Sequence, residues 1–166
     1  MSDYFKEILN HSKKALSAMS KLSAEDRSRI LMNISGFLLS KKDGILEANR
    51  IDIDRAKSNN ISAPMINRLV LTSEKIDQLS RDVEKIAQME DPLNQTLENW
   101  TNPSNGLQFT KVSVAIGVIG IIYESRPNVT IDAACLCLRS GNVSILRGGS
   151  ECIETNKKLY ECIQEA

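Results

Sequence analysis

The N-terminal part of the chain shows the apolar spacing of amphipathic helices, with apolar residues recurring every three or four positions. Start signals separate these runs: Ser23 and Asp26 resemble a capping box, with Asp in place of the usual Glu or Gln. Pro64 stands where a first helical turn tolerates proline, and Thr72 is a predicted N-cap. The pattern predicts successive helices over residues 3–90.

The pattern changes after Asp91-Pro92, where turn residues predict a loop that continues to Gly106. Gly106 to Ser113 alternates well enough for an exposed strand or hairpin arm. Residues 114–123 are nearly all apolar and rich in β-branched side chains. This composition predicts a strand that is buried on both faces, as in a parallel sheet.

The rest of the chain continues as helix, strand and helix. We predict a helix over 129–139 with Gly141 as its left-handed C-terminal residue, a strand over 143–146, and a last helix from Glu151, capped by Ser150. The predicted fold class is therefore α/β: N-terminal helices followed by the first half of a doubly wound, parallel, Rossmann-like sheet. Because the chain stops inside the last predicted helix, we expect it to be a fragment of a longer protein.

Charge and hydropathy exclude several classes of partner. The chain has 166 residues with 21 Lys plus Arg against 21 Asp plus Glu and no run of five like charges, so no nucleic-acid partner is expected. No apolar stretch approaches the roughly 20 residues that a membrane span needs, and the N-terminus lacks the pattern of a secretory signal. We expect a cytoplasmic protein with no membrane partner.

The cysteines are expected to be reduced structural thiols, because a chain of this length forms a core without disulfides. Cys135 and Cys137 point in different directions on a predicted helix and suit a metal poorly, so no metal site is expected. His11 is the only histidine and has no obvious partner, which argues against a Ser–His or Cys–His catalytic pair. Asp52 and Asp54 likewise diverge on a helix and are expected to meet solvent.

Two turns follow the predicted parallel strands, at the edge where open α/β sheets bind ligands. In the first turn, Glu124–Asn128, Pro127 fixes its own φ and pushes Arg126 out of the helical region. Asn128 then either caps the next helix or donates to a substrate oxygen as an oxyanion-hole group. The spacing leaves both alternatives open.

The second turn is Arg147–Glu151, which combines a guanidinium, two glycines and a predicted helix start. Glycines let the backbone approach a ligand, a helix start favours anions, and Arg147 is suited to a phosphate. The alternative is an arginine at a strand end with only a structural role. Neither turn contains the G-x-G-x-x-G or P-loop pattern.

The run GVIGIIYESRPNVTIDAACLCLRSGNVSILRGGSE, residues 117–151, resembles the γ-glutamyl phosphate reductase family of the aldehyde dehydrogenase superfamily. Its two motifs, IYESRPNVT and SGN…ILRGGSE, are highly specific. Shorter pieces upstream agree with the same family: Ala48-Asn49, Asp52, the NRLVLT run at 67–72, Asp91-Pro92 and Asn105-Gly-Leu107. The resemblance covers essentially the whole chain but only the first part of a family enzyme, whose nucleophilic cysteine lies in a later domain.

The resemblance implies NADPH-dependent reduction of L-glutamyl 5-phosphate to L-glutamate 5-semialdehyde, with release of phosphate, in proline biosynthesis. It implies that Asn128 is the catalytic oxyanion donor and that Arg147 binds the adenosine ribose or its 2′-phosphate. The other implied site residues are Gly148, Gly149, Ser150 and Glu151 at the same cofactor edge, Ile122 and Tyr123 on the nicotinamide side, and Ser125 and Arg126 on the substrate side.

The resemblance also implies an organisation of the chain. Residues 1–90 are expected to be the helical part of a nucleotide-binding domain, 91–113 part of an oligomerisation arm, and 114–166 half of the NADP-binding domain. The whole enzyme is expected to be a dimer or tetramer, and the isolated chain inactive. Two other readings stay open: a non-catalytic nucleotide- or phosphate-binding module, and a structural paralogue that binds no nucleotide.

Overall fold

Helices form the N-terminal part of the molecule, as their apolar spacing predicts. The computed structural model describes residues 3–166. Its first five helices are α1 (Asp3–Met19), α2 (Ala24–Ser40), α3 (Lys42–Ser58), α4 (Ala63–Leu69) and α5 (Ser73–Gln88).

The predicted helix starts are confirmed by their hydrogen bonds. Ser23 Oγ accepts from Asp26 N at 3.0 Å, and Asp26 Oδ2 accepts from Ser23 N at 3.1 Å, which is the reciprocal pattern of a capping box. Thr72 Oγ1 accepts from Lys75 N at 3.2 Å. Pro64 lies in the first turn of α4, where its missing N–H costs no hydrogen bond.

An antiparallel hairpin follows α5, and it corrects the loop predicted up to Gly106. Strand β1 (Thr96–Thr101) pairs with β2 (Gln108–Val112), and both strands are exposed along their whole length. The Trp100 and Phe109 rings stack across the pair, with centroids 5.2 Å apart. Neither face of β1 is buried, so its sequence lacks the alternating apolar pattern that predicts a strand. The strand forms because β2 supplies its backbone hydrogen bonds.

The C-terminal part alternates strand and helix, in agreement with the predicted α/β fold class. Strand β3 (Val118–Ile122) is parallel to β4 (Val143–Arg147), and α6 (Asn128–Arg139) connects them. After a short 3₁₀ turn (Ser150–Cys152), helix α7 (Ile153–Gln164) completes the described chain. Gly141 has φ +68°, the left-handed conformation predicted for the end of α6.

The strand predicted over 114–123 is shorter than expected and is not buried on both faces. Residues 114–117 form no strand, and alternate side chains of β3 are exposed. Val118 is 38% and Ile122 79% exposed, because within residues 3–166 only one face of the two-stranded sheet is covered. The exposed face of β3 is also apolar, and this is why the sequence predicted a strand buried on both faces.

The main core lies between α2, α5 and α6 and extends to α7. It contains the fully buried side chains of Leu31, Ile34, Leu38, Ile45, Ile76, Val83, Ile131 and Leu159. The cysteines are buried free thiols, as predicted. Within the described part of the chain, no helix is long and apolar enough to cross a membrane, and no cluster of side chains is suited to a metal ion.

A buried polar junction joins α3 to α7, and it corrects the prediction that Asp52 meets solvent. Asp52 is completely buried and accepts from Thr155 N at 2.8 Å and Thr155 Oγ1 at 2.7 Å, besides pairing with Arg55. The first turn of α7 packs on α3, so its free N–H groups need an acceptor there. Asp54 is exposed, as predicted.

Asn49 extends this junction to α4. Its side-chain amide donates to Leu69 O at 2.8 Å and to Thr155 Oγ1 at 3.2 Å, and its oxygen accepts from Leu71 N at 2.8 Å. Asn49 is 1% exposed, so its amide group is satisfied by protein partners rather than by water. The junction therefore fixes the end of α4 and the start of α7 on the same helix.

Candidate functional site

The two predicted turns leave the sheet at adjacent positions. Ile122, the last residue of β3, pairs in register with Arg147, the last residue of β4. Tyr123 N donates to Arg147 O at 3.0 Å, which extends the pairing by one more residue. Glu124–Asn128 and Arg147–Glu151 therefore start side by side at the carboxyl ends of parallel strands, where such sheets bind ligands.

A side-chain hydrogen bond joins the two turns. Ser125 is buried, and its hydroxyl donates to Glu151 Oε2 at 2.6 Å. This hydrogen bond, together with the backbone N–H of Glu151, holds the pKa of the Glu151 carboxyl below its ordinary value of 4.5. A Cβ atom on Gly149 would lie 2.5 Å from Ser125 Oγ and 2.5 Å from Glu151 Oε2, so glycine permits this contact.

Gly148 allows an equally close contact on the other side of the turn. A Cβ atom there would lie 2.5 Å from Asn156 Nδ2 and 3.0 Å from the Tyr123 ring. The Tyr123 hydroxyl bonds Thr130 Oγ1 at 2.7 Å, and Thr130 donates to Asn156 Oδ1 at 2.8 Å. Burial raises the pKa of Tyr123, so this phenol stays protonated and the chain of hydrogen bonds is neutral.

Arg147 is exposed at the end of β4 and forms no ion pair with any carboxylate of residues 3–166. Because residues paired in register project from the same face of a sheet, Arg147 and the exposed Ile122 lie side by side. The edge therefore offers a free guanidinium next to an apolar side chain.

The start of α7 is a poorer anion-binding site than the sequence indicates. Glu154 N and Thr155 N donate to Asp52 at 3.3 and 2.8 Å, so a protein carboxylate already occupies the first turn. Ser150 is the exposed first residue of the 3₁₀ turn and makes no capping hydrogen bond, which corrects the predicted cap. The positive charge of this edge therefore comes from Arg147 rather than from the helix end.

Asn128 does not cap α6, so that alternative is wrong. The N-cap position is Pro127, which has no side-chain donor or acceptor, and Asn128 is the first helical residue. The exposed Asn128 side chain donates from Nδ2 to Asp132 Oδ2 at 3.0 Å. Arg126 is exposed beside it, and its backbone N donates to Glu124 O at 2.7 Å.

Two pockets flank the first turn, and both are lined by Arg68 of α4. One, of about 290 Å³, lies between Asn128 and helices α4 and α5. The other, of about 390 Å³, is lined by residues of both turns, including Ser125, Gly149 and Glu151. The only sequence signal for Arg68 is its place in the NRLVLT run, so its position at the site emerges from the structure.

Comparison with known proteins agrees with the resemblance in the turn motifs. No family model matches the chain. The γ-glutamyl phosphate reductase of Petrotoga mobilis is 43% identical over 162 residues, which cover 96% of this chain and 39% of the relative. The chain thus spans about two fifths of the length of the curated relatives it matches, and it corresponds to their N-terminal part.

Solved structures give the same result. The γ-glutamyl phosphate reductase of Thermotoga maritima superposes with a TM-score of 0.89 at 34% identity, covering 96% of this chain and 39% of that one. A NAD-dependent benzaldehyde dehydrogenase from Corynebacterium glutamicum superposes over 93% of this chain and 31% of that one, with a TM-score of 0.68 at 18% identity, a likeness of fold alone. The chain is therefore homologous over nearly its whole length to the N-terminal part of the γ-glutamyl phosphate reductases and has the aldehyde-dehydrogenase-like fold of that part.

Proposed function

We propose that the protein is a cytoplasmic, NADPH-dependent oxidoreductase that reduces L-glutamyl 5-phosphate to L-glutamate 5-semialdehyde and releases phosphate. In this proposal the described residues form its N-terminal, cofactor-binding portion. The observation that carries it is the contact between the two turns, which brings the Asn128 amide and the Arg147 guanidinium to one edge of the sheet. The proteins most of this chain is similar to are γ-glutamyl phosphate reductases.

The second turn fits a nicotinamide dinucleotide. The free guanidinium of Arg147 suits a 2′-phosphate, and the charged carboxylate of Glu151 is an acceptor for a ribose hydroxyl. Gly148 and Gly149 hold the turn close against Tyr123 and Ser125, which leaves Ser150 exposed at the same cofactor edge. Ile122 and Tyr123 border the nicotinamide side in this proposal. When bound, the cofactor supplies the hydride for the reduction.

The first turn fits the reacting end of the substrate. Asn128 is exposed, and its amide is suited to an oxygen on which negative charge develops, a contact worth about 3 kcal/mol in a transition state. Ser125 and Arg126 border the same side. In this role Asn128 must keep an N–H group available beside its hydrogen bond to Asp132, and an amide nitrogen has two.

The nucleophile of the proposed reaction is not one of the cysteines described here. All are buried, and burial raises the pKa of Cys135 to about 12 and that of Cys152 to about 11. A thiol of this kind is almost wholly protonated at neutral pH and is not reached by substrate. The proposal therefore places the nucleophilic cysteine outside these residues, as the resemblance implies.

The exposed hairpin supports the further proposal of a homodimer or homotetramer. Both strands face solvent in the described chain, and they carry the exposed apolar side chains Leu97, Trp100, Phe109 and Val112. Such a surface is typical of a protein interface. The arm then corresponds to residues 91–113, as the resemblance implies.

The reaction is tested by incubating the intact protein with glutamate 5-semialdehyde, phosphate and NADP⁺ and following NADPH formation. The expected result is phosphate-dependent turnover that Asn128→Ala lowers by about 10²–10³-fold in kcat. An unchanged kcat in this variant would contradict the oxyanion role. NADPH binding without turnover would favour the non-catalytic module, and no nucleotide binding at all would favour the structural paralogue.

The cofactor role of Arg147 is tested in the same protein with both reduced nucleotides. Arg147→Ala is expected to weaken NADPH binding by about tenfold or more and to leave NADH binding nearly unchanged, because only NADPH carries the 2′-phosphate. Arg50→Ala, which removes an exposed arginine of α3, is the matched control. An equal loss of affinity for both nucleotides would refute the 2′-phosphate contact.

A further inference from the structure

The pocket beside Asn128 carries charges of both signs. Helices α4 and α5 contribute Arg68 and Lys75, and α5 and α6 contribute Asp82 and Asp132, around a volume of about 290 Å³. A pocket of this composition suits a small molecule that itself carries one positive and one negative group. An amino acid in its ordinary zwitterionic form is such a molecule.

Asp132 is the carboxylate in this pocket that lacks a cation. Within residues 3–166 its side chain has one hydrogen-bond partner, Asn128 Nδ2 at 3.0 Å, and no ion pair. Asp82, by contrast, already accepts from Lys85 Nζ at 2.8 Å and Gln78 Nε2 at 2.9 Å. Asp132 is half-buried, and this desolvation raises its pKa. A ligand ammonium would supply the missing partner for its charge.

Arg68 is the cation that is most available to a ligand carboxylate. Its Nη1 lies 3.2 Å from Glu124 Oε2, but the two side chains are 49% and 82% exposed. Water screens the attraction between the two charges, so this ion pair is weak. The other N–H groups of the guanidinium donate to no acceptor among residues 3–166. Lys75 is more restricted, because its Nζ donates to Val70 O at 2.7 Å.

The reaction proposed above supplies a ligand of the required kind, since glutamyl 5-phosphate and its semialdehyde both carry an α-ammonium and an α-carboxylate. Resting on that function, we infer that this pocket holds the amino-acid end of the substrate, with Asp132 binding the α-ammonium and Arg68 the α-carboxylate. Because Asp132 contacts Asn128, the recognised ammonium lies close to the amide that faces the reacting oxygen. The two charged side chains are then the specificity determinants of the enzyme.

The inference is tested by comparing kcat/KM for glutamate 5-semialdehyde with that for 5-oxopentanoate, which lacks the α-amino group, and for 4-aminobutanal, which lacks the α-carboxylate. In the intact protein, Asp132→Asn is expected to lower kcat/KM for glutamate 5-semialdehyde by about 10–100-fold, mainly through KM, and to leave 5-oxopentanoate unaffected. Arg68→Gln is expected to impair both carboxylate substrates by about tenfold and to spare 4-aminobutanal.

Matched controls separate recognition from misfolding. Asp54→Asn and Arg50→Gln change the same residue types on the exposed surface of α3 and are expected to alter none of these ratios. A loss that is equal for glutamate 5-semialdehyde and 5-oxopentanoate in Asp132→Asn would overturn the inference, because it would show that Asp132 acts only through Asn128. If the unaltered protein does not oxidise glutamate 5-semialdehyde at all, the proposed function fails and the inference fails with it.

Discussion

Replacing Asp52 by asparagine removes the buried charge that holds the start of α7, the helix that follows the Arg147–Glu151 turn. Asp52 is completely buried and accepts three hydrogen bonds from α7: Thr155 N at 2.8 Å, Thr155 Oγ1 at 2.7 Å and Glu154 N at 3.3 Å. Asparagine has nearly the same shape but offers one acceptor oxygen instead of two. One donor of α7 or the guanidinium of Arg55 therefore loses its acceptor.

The size of the effect follows from these contacts. A hydrogen bond to a charged group contributes about 1.5–3 kcal/mol, and breaking a fully buried ion pair costs about 3–5 kcal/mol. The Arg55 side chain is 39% exposed, so water compensates part of its loss and the upper figure does not apply. We expect Asp52→Asn to lower the free energy of unfolding by about 2–4 kcal/mol, a large share of the stability of an ordinary domain.

Urea unfolding of the protein measures this loss, with Asp54→Asn as the matched control on the same helix. Asp54 is exposed, and its Oδ2 lies 3.6 Å from Arg50 Nη1. An ion pair in solvent contributes little to stability, so replacing Asp54 is expected to leave the unfolding midpoint unchanged. Equal midpoints for the two variants would refute the conclusion that Asp52 fixes α7 on α3.

Three further predictions concern the turns and the thiols. Gly149→Ala is expected to force Ser125 and Glu151 apart and to weaken NADPH binding by about tenfold in a fluorescence titration; unchanged affinity would contradict the close contact. The pKa of Glu151 is lowered in the fold, so its carboxylate stabilises the protein above about pH 4.5, and this stabilisation is lost as the pH falls through the folded value. On acidification, the free energy of unfolding of Glu151→Gln should therefore fall less than that of the unaltered protein. Cys135 and Cys152, whose pKa values are raised to about 12 and about 11, should resist a thiol reagent at pH 8 until the protein is unfolded; rapid labelling of the native protein would show them to be accessible.

Much of the fold is encoded locally and was predictable. The Ser23 capping box, the Thr72 cap and the left-handed Gly141 each depend on a few neighbouring residues. The apolar spacing of α6 likewise predicts its inner face, which includes the fully buried Ile131 and Cys135. Such features follow from backbone geometry and side-chain chemistry over one or two helical turns.

The features that escaped prediction depend on residues far away in the chain. The Asp52 carboxylate is buried because a helix about one hundred positions later packs its first turn against it. Strand β1 exists because β2 pairs with it, and Arg68 reaches the site because Asn49 ties the end of α4 to α3 and α7. No local pattern reports contacts of this kind, so a polar residue in them has the same sequence signature as one in solvent.

The arrangement of the candidate site was predicted in part. The turn motifs indicated both segments, and the structure brings them together through Ser125 and Glu151. Whether Asn128 caps α6 could not be decided from spacing, because the answer depends on whether the helix begins at Asn128 or one residue later. The helix starts at Asn128 itself, so its side chain lies past the cap position and faces the pocket.

The central claim is that the two joined turns bind the reduced nucleotide and the substrate at one edge of the sheet. The most direct test is a crystal structure of the intact protein with NADPH and glutamate 5-semialdehyde. The account predicts the 2′-phosphate within about 3.5 Å of the Arg147 guanidinium and a substrate oxygen within hydrogen-bond distance of Asn128 Nδ2. A nucleotide bound away from Arg147, with Asn128 touching neither ligand, would contradict it.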